Sequence, residues 1–240
     1  MTREHTPTPT VIAIDGPAAS GKSTAGYMLA RELGFLYLDT GSMYRAATLA
    51  ALIAGIDPGN EAAVSALSRD LDLQIKPASG AADGRQYTVL LDGDDVTWEL
   101  RSPDVDAHVS VVSSFPRVRE EMVRRQREIA RMGSVVMVGR DIGTVVIPDA
   151  PLKLYITASP EVRARRRWLD RKAQGHEADY AEILADINRR DEFDSRRKHS
   201  PLRPAEDAVI IDNTDLDPEE VLTEIRAFLH AGSSEEIKEV

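Results

Sequence analysis

The sequence predicts an α/β protein: a five-stranded, mainly parallel sheet flanked by helices, with a small antiparallel sheet inserted into it. Three observations predict this. Five short apolar runs (residues 11–14, 35–38, 135–138, 152–156 and 209–211) are separated by long helical stretches, the pattern of a parallel sheet covered on both faces. The first run leads straight into Gly16-Pro17-Ala18-Ala19-Ser20-Gly21-Lys22-Ser23-Thr24, which fits the phosphate-loop spacing G-x-x-x-x-G-K-S/T. Residues 71–100 change character: 71–75 and part of 87–91 alternate with period two, and Asp92-Gly93 is a turn signal.

In chain order, residues 22–33 read as the helix after the phosphate loop, with Tyr27, Leu29, Ala30 and Leu33 apolar and Gly34 suited to its end. The second run passes into Asp39-Thr40-Gly41-Ser42-Met43-Tyr44-Arg45, within which a helix begins. The alanine- and leucine-rich residues 46–53 continue it to near Gly55, and another helix covers 61–68. A loop at 79–84 separates the two alternating stretches. Ser102-Pro103 starts a helix to about 113, and Pro116 opens an arginine-rich helix to about 132 with Val118, Met122 and Ile129 on one side and Gly133 at its end. The third run leads into Gly139-Arg140-Asp141-Ile142-Gly143. Helices follow the fourth run at 160–172 and about 180–195, broken at Gln174-Gly175-His176, and a closing helix covers 218–229. Residues 1–10, polar and rich in threonine and proline, and 231–240, polar and acidic, read as loose tails. The first lacks the apolar core of a secretory signal.

Composition narrows the function. The 240 residues contain no cysteine, which excludes disulfides and cysteine–metal sites. No apolar run approaches a membrane span, so a cytoplasmic protein is expected. The formal net charge of −10 argues against general nucleic-acid binding. Arginines nonetheless number 24 against 6 lysines, and 17 of those arginines fall between Arg117 and Arg203. An acidic chain that concentrates planar guanidinium forks is suited to a small anionic ligand, although several of these arginines belong on solvated helix faces.

The phosphate-loop chemistry needs these residue types. Backbone N–H groups converge on polyphosphate oxygens only where side chains do not intrude, hence Gly16 and Gly21, and a helix N-terminus adds unpaired donors and partial positive charge. Lys22 can bridge the outer phosphates and the Ser23 hydroxyl can ligate Mg²⁺. Strand-end loops carry the other candidates, as open α/β sheets require. Asp39 or Thr40 can cap a helix or serve a pocket, and Arg45 beside them suits a phosphate. Asp141 either neutralises Arg140 or faces a ligand. Arg163, Arg166 and Arg167 share a helix face, as do Arg190, Asp194 and Arg197; either set alone reads as a solvated face. Both sets together, downstream of a phosphate loop, read as a basic lid over a triphosphate.

Together these motifs resemble the bacterial cytidylate kinases, in the nucleoside monophosphate kinase group of P-loop enzymes. The resemblance runs from about residue 11 to 228. Beyond the phosphate loop it is carried by Leu-Asp-Thr-Gly-Ser-Met-Tyr-Arg (38–45), Phe-Pro-Arg-Val-Arg (115–119), Gly-Arg-Asp-Ile-Gly-Thr-Val-Val (139–146) and Arg-Asp-Glu-Phe-Asp-Ser-Arg-Arg (190–197). It implies a P-loop kinase core of residues 11–39 and 133–230, with an arginine-rich lid at about 157–178. Residues 40–132 would form a monophosphate-binding region enlarged by the small sheet at about 71–100. The implied reaction takes ATP and CMP or dCMP to ADP and the diphosphate, with Mg²⁺ held at Ser23, in a monomer acting on small molecules rather than on nucleic acid or membrane.

By the same resemblance Gly16, Pro17, Ala18, Ala19, Ser20, Gly21, Lys22, Ser23 and Thr24 bind ATP, and Lys22, Arg163, Arg166 and Arg167 are catalytic. Thr40 and Arg45 line the monophosphate pocket, with Arg45 on its phosphate. Ser110, Arg119 and Asp141 face the cytosine, Arg190 and Asp194 approach the sugar, and Arg140 and Arg197 hold the CMP phosphate. Cytosine presents an N4 donor beside N3 and O2 acceptors, which a carboxylate and two donors complement; uracil would set an O4 acceptor against the carboxylate. The chain departs from some family members at Val138, where they carry an acidic residue.

Three rival classes remain on the residues alone. These are a kinase for another small acceptor, a GTPase switch, which normally uses an Asn-Lys-x-Asp run missing from this sequence, and a nucleic-acid-binding ATPase, which the net charge disfavours.

Overall fold

A computed structural model describes residues 10–78, 82–173, 175 and 177–231. Residues 1–9 and 232–240 of the expected tails, part of the 79–84 loop and two residues of the 174–176 break lie outside the described residues. In chain order the elements are β1 (Val11–Asp15), α1 (Lys22–Leu33), β2 (Leu36–Asp39), α2 (Thr40–Ile53), α3 (Glu61–Asp70), β3 (Leu73–Pro77), β4 (Tyr87–Leu91), β5 (Asp94–Asp95), α4 (Pro103–Val112), α5 (Pro116–Arg131), β6 (Val135–Val138), β7 (Leu152–Thr157), α6 (Pro160–Ala173), α7 (Tyr180–Arg196), β8 (Val209–Asp212) and α8 (Pro218–Ala231). A 3₁₀ turn covers Glu99–Arg101, and a π-helical turn covers Ile142–Val146.

The main sheet has the order β2-β6-β1-β7-β8. Every neighbouring pair in it is parallel, so the sheet is wholly rather than mainly parallel. β1 and β6 are buried along their whole length, which is why both read as unbroken apolar runs. Register places Ile14 level with Val138 and Leu154, and Asp39 level with Val138. The carboxyl ends of four strands therefore finish at one edge, and their loops face one crevice. α1 lies close against this edge: a Cβ added at Gly26 would stand 2.5 Å from Val138 Cγ2.

The inserted sheet is antiparallel, with Leu73 opposite Leu91 and Leu90 opposite Asp95. It begins at Leu73, not at residue 71, because Leu71 caps α3 and is itself buried. Tyr87, Val89 and Leu91 on one face of β4 join the main core, so the insertion and the main sheet share one apolar interior. The α6–α7 hairpin does not. Its buried residues Ala164, Ile183 and Ile187, with Trp168, Ala178 and Leu184 against them, form a separate small core. Among the described residues no helix is long and apolar enough to cross a membrane.

Candidate active site

The phosphate loop joins β1 to α1 at the carboxyl edge. Gly16 has φ 148°, and a Cβ there would fall 2.0 Å from the Ile156 carbonyl oxygen; only glycine fits between the two strands. Ala19 adopts φ 58° and Gly21 φ 89°, left-handed conformations of the kind found in anion-binding backbone nests. Lys22 is buried, and its Nζ donates to the Pro17 carbonyl at 2.7 Å. Burial, and next the positive Arg140, push this ammonium well below the usual lysine range, while Asp39 pulls it back up. Ser23 and Thr24 occupy the first turn of α1, Ser23 half-buried and Thr24 exposed.

The arginines of α6 are spread over three sets of partners. Arg163 is buried and donates to the Ala158 carbonyl at 2.9 Å, to the Ala18 carbonyl of the phosphate loop at 3.2 Å, and to both oxygens of Asp191. Arg166 donates to Asn213 Oδ1 and to the Asn213 carbonyl, each at 2.9 Å. Asn213 Nδ2 in turn donates to the Ser20 carbonyl at 2.6 Å, so the β8–α8 loop grips the phosphate loop and the α6 arginine together. Arg167 reaches Asp106 on α4 at 3.3 Å, and the other Asp106 oxygen takes Arg45 at 2.6 Å. Arg45 also donates to the Leu100 carbonyl at 2.9 Å.

A second group lies between β6, α4, α5 and α7. Arg119 and Asp141 form a buried ion pair. Arg119 also donates to the Ser113 carbonyl at 3.1 Å and the Ser200 hydroxyl at 3.2 Å, and stands 5.4 Å over the Tyr44 ring. Arg140 donates to Asp194 at 3.1 Å. Arg197 stands 4.0 Å from Asp141 and 3.9 Å from Asp194, and its Nε donates to the Ser200 carbonyl. Among the described residues, Arg190 Nε and Arg197 Nη2 are buried donors with no hydrogen-bond partner. Burial, followed by the charge of Arg140, pushes Arg190 down to about 10. Burial and then Arg119 lower Arg197.

Arg190 thus lies within electrostatic range of Arg45, Arg140 and Arg167, and Lys22 within range of Arg140 and Arg190. A buried like-charge cluster with unspent donors is costly unless an anion joins it. Two expected residues sit differently. The Thr40 hydroxyl is buried and already donates to the Val138 carbonyl at 2.9 Å, tying α2 to β6. Ser110 is half-buried on α4, one turn beyond Asp106. Val138 is fully buried against α1, and the carboxylates that bear on Lys22 are Asp39 and Asp15.

Five site residues escape a reading of the sequence: Asp15, Asp106, Asp191, Ser200 and Asn213. Each acts through a partner distant in sequence. The one local signal is Asp15, an acidic residue closing an apolar strand directly before the phosphate loop. Its carboxylate accepts from the Ile142 and Gly143 amides, each at 2.8 Å. Burial pushes its pKa up to about 6 against the pull of those two bonds.

A family model described as cytidylate kinase matches residues 12–231. A cytidylate kinase of Roseiflexus castenholzii is 53% identical over 214 residues, covering 89% of this chain and 90% of its own. Those of Chloroflexus aggregans and Corynebacterium efficiens are each 50% identical over 224 residues, covering 93% of this chain and 95% of theirs. With a family model matched over residues 12–231 and relatives at 50–53% identity over most of its length, the chain belongs to the cytidylate kinase family.

Proposed function

We propose that the protein transfers the γ-phosphoryl group of ATP to CMP or dCMP, giving ADP and CDP or dCDP, as a monomer in the cytoplasm. One observation carries the reading. The buried, unspent donors of Arg190 and Arg197 lie in a cationic cluster that reaches both Lys22 and the Arg119–Asp141 pair.

Phosphoryl transfer asks for in-line positioning and for charge spread over the moving group. The loop of residues 16–24 holds the ATP phosphates, and Lys22 follows the charge onto the β–γ bridge. A CMP phosphate oxygen attacks phosphorus while the bond to the ADP oxygen breaks. No general base is needed, because a phosphate monoester is already ionised at neutral pH. Arg45, Arg140 and Arg197 hold the acceptor phosphate, and Arg190 with Asp194 borders its sugar. Arg119 engages one Asp141 oxygen, leaving the other to accept from cytosine N4. Uracil would face that oxygen with an acceptor, so CMP is preferred over UMP. A cavity of about 120 Å³ lined by Gly21, Thr24, Arg166, Asn213, Leu216 and Pro218 suits the donor base, with the planar Arg166 guanidinium beside it. The α6–α7 hairpin, residues 157–178 at its near end, acts as the lid, with Arg163, Arg166 and Arg167 on its inner side.

Among the described residues there is no cluster of three or more His, Cys, Asp or Glu side chains placed to hold an ion. That fits Mg²⁺, which is held by substrate phosphates and one or two protein oxygens rather than by an all-protein cage. Ser23, with Asp39 beside Lys22, supplies such oxygens. Those oxygens would hold a Mg²⁺ ion, whose charge would offset that of the phosphates.

The test is ADP release from ATP and Mg²⁺ with CMP, dCMP, UMP, AMP and GMP offered separately. CMP and dCMP are expected far above the rest. Equal turnover of UMP or AMP would sink the base assignment, and silence with every monophosphate would sink the kinase.

A further inference from the structure

The π-helical turn Ile142–Val146 has Asp141 at its N-cap position, with no hydrogen bond from the turn's amides to the Asp141 side chain. This is unusual for its residue type. An aspartate at an N-cap ordinarily turns its carboxylate back onto the exposed amides one to three residues on. Here the first two of those amides are already taken. Asp15, at the end of a different strand and 127 residues away, accepts Ile142 N–H on Oδ1 and Gly143 N–H on Oδ2, both at 2.8 Å. Asp141 is left to pair with Arg119 across the pocket. The fit around Asp15 is tight: it is 4% exposed, and a Cβ at Gly143 would lie 3.5 Å from its Oδ2 and 3.2 Å from Lys153 Cδ.

We propose that Asp15 is a positioning residue for base selection, a remote cap that relieves Asp141 of capping its own turn and so frees that carboxylate for the pyrimidine. Asp15 touches neither substrate. It acts through the backbone of residues 142–143, and because it immediately precedes Gly16 it also fixes the base-reading turn to the strand that carries the phosphate loop. The inference rests on the assignment of Asp141 to the cytosine.

Asp15→Asn keeps the shape but offers one acceptor and one donor to two N–H groups, so one amide loses its partner. Asp141 is then drawn back to cap it. The measurement is the ratio of kcat/KM for CMP to that for UMP, with ATP saturating, in wild type, Asp15→Asn, Asp141→Asn and the double variant. The expected result is a fall of about tenfold in the ratio for Asp15→Asn, a larger fall for Asp141→Asn, and no further fall in the double variant. Hydrogen exchange at the Ile142 and Gly143 amides, read by NMR, is expected to quicken in Asp15→Asn, and Gly143→Ala gives an independent disturbance of the same contact. Asp15→Asn with quickened exchange and an unchanged ratio overturns the proposal and leaves the cytosine assignment standing. An unchanged ratio in Asp141→Asn overturns that assignment and the proposal with it. A loss of thermal stability alone, with the ratio intact, marks Asp15 as merely structural and overturns the proposal.

Discussion

The phosphate loop and the α6–α7 hairpin face the same crevice but are held in different ways. The loop grows out of β1, whose residues are buried throughout, and its first glycine is wedged against the β7 backbone. The hairpin packs on itself around Ala164, Ile183 and Ile187. It meets the body largely through polar contacts: Arg163 to the Ala18 carbonyl, Arg166 to Asn213, Arg167 to Asp106, and Asp194 to Arg140. Apolar burial holds a part that must not move during transfer. Directional polar contacts suit the part proposed as a lid, which would have to let go and return.

Lys22→Ala should have the largest effect, because it removes charge where phosphoryl charge develops. kcat is expected to fall about 10²–10³-fold with thermal stability held or raised, since a buried ammonium is removed. A drop in KM affinity without a drop in kcat would place Lys22 in ground-state binding only. Gly16→Ala should push the loop off β7, costing about 3 kcal/mol or more in urea unfolding and raising KM for ATP more than for CMP. Retention of both values would show that the loop is less firmly wedged than the hairpin.

The loop side also carries a pH signature. The folded chain binds the Asp15 proton more tightly than the unfolded chain, with a pKa of about 6 against an ordinary 3.8. The site's contribution to stability therefore declines as pH rises through that window, by on the order of 3 kcal/mol in total, and levels off above about pH 7. The wild-type stability relative to Asp15→Asn, followed by urea unfolding from acid to neutral pH, should trace that decline. A flat difference would mean that Asp15 titrates alike in the folded and unfolded chains.

Trp168→Ala tests the other side and should be the mildest for the fold. Trp168 leans on the hairpin core and donates to the Ala178 carbonyl at 3.0 Å. Its loss is expected to lower kcat/KM about tenfold while the main thermal transition stays within a few degrees. Leu38→Ala in the shared core should cost about 2–5 kcal/mol and bring the whole transition down. If Trp168→Ala destabilises as much as Leu38→Ala, the two regions are one cooperative unit.

Most of the fold is legible in the sequence because its signals are local. The five apolar runs fall on the five main-sheet strands, and Gly34, Gly133, Ser102, Pro103 and Pro116 mark helix ends where the chain turns. The two-residue β5 is too short to announce itself, and the π-helical turn depends on Asp15, far off in sequence. Arg167 and Arg190 of the cationic cluster show in arginine spacing, and Asp141 and Asp194 beside it in the strand-end and α7 motifs, but Asp106, Asp191 and Asn213 do not show. Asp106 reads as an ordinary acid in the first turn of α4, Asp191 as one of many charges on α7, and Asn213 as a loop residue. What distinguishes them is which arginine folding brings to each, and spacing along the chain does not encode that.

The polar seam under the hairpin has a thermal consequence. Opening it uncovers charged and amide groups with little hydrocarbon, so the heat-capacity change of opening is small. The balance between open and closed forms of the proposed lid would then drift only gently as the temperature changes. The seam's Arg167–Asp106 contact joins two full charges that are each partly exposed, where added electrolyte shortens their reach to about 8–10 Å, while the Arg163 contact to the Ala18 carbonyl is buried. Added salt should therefore loosen the Arg167–Asp106 contact well before the buried contact of Arg163.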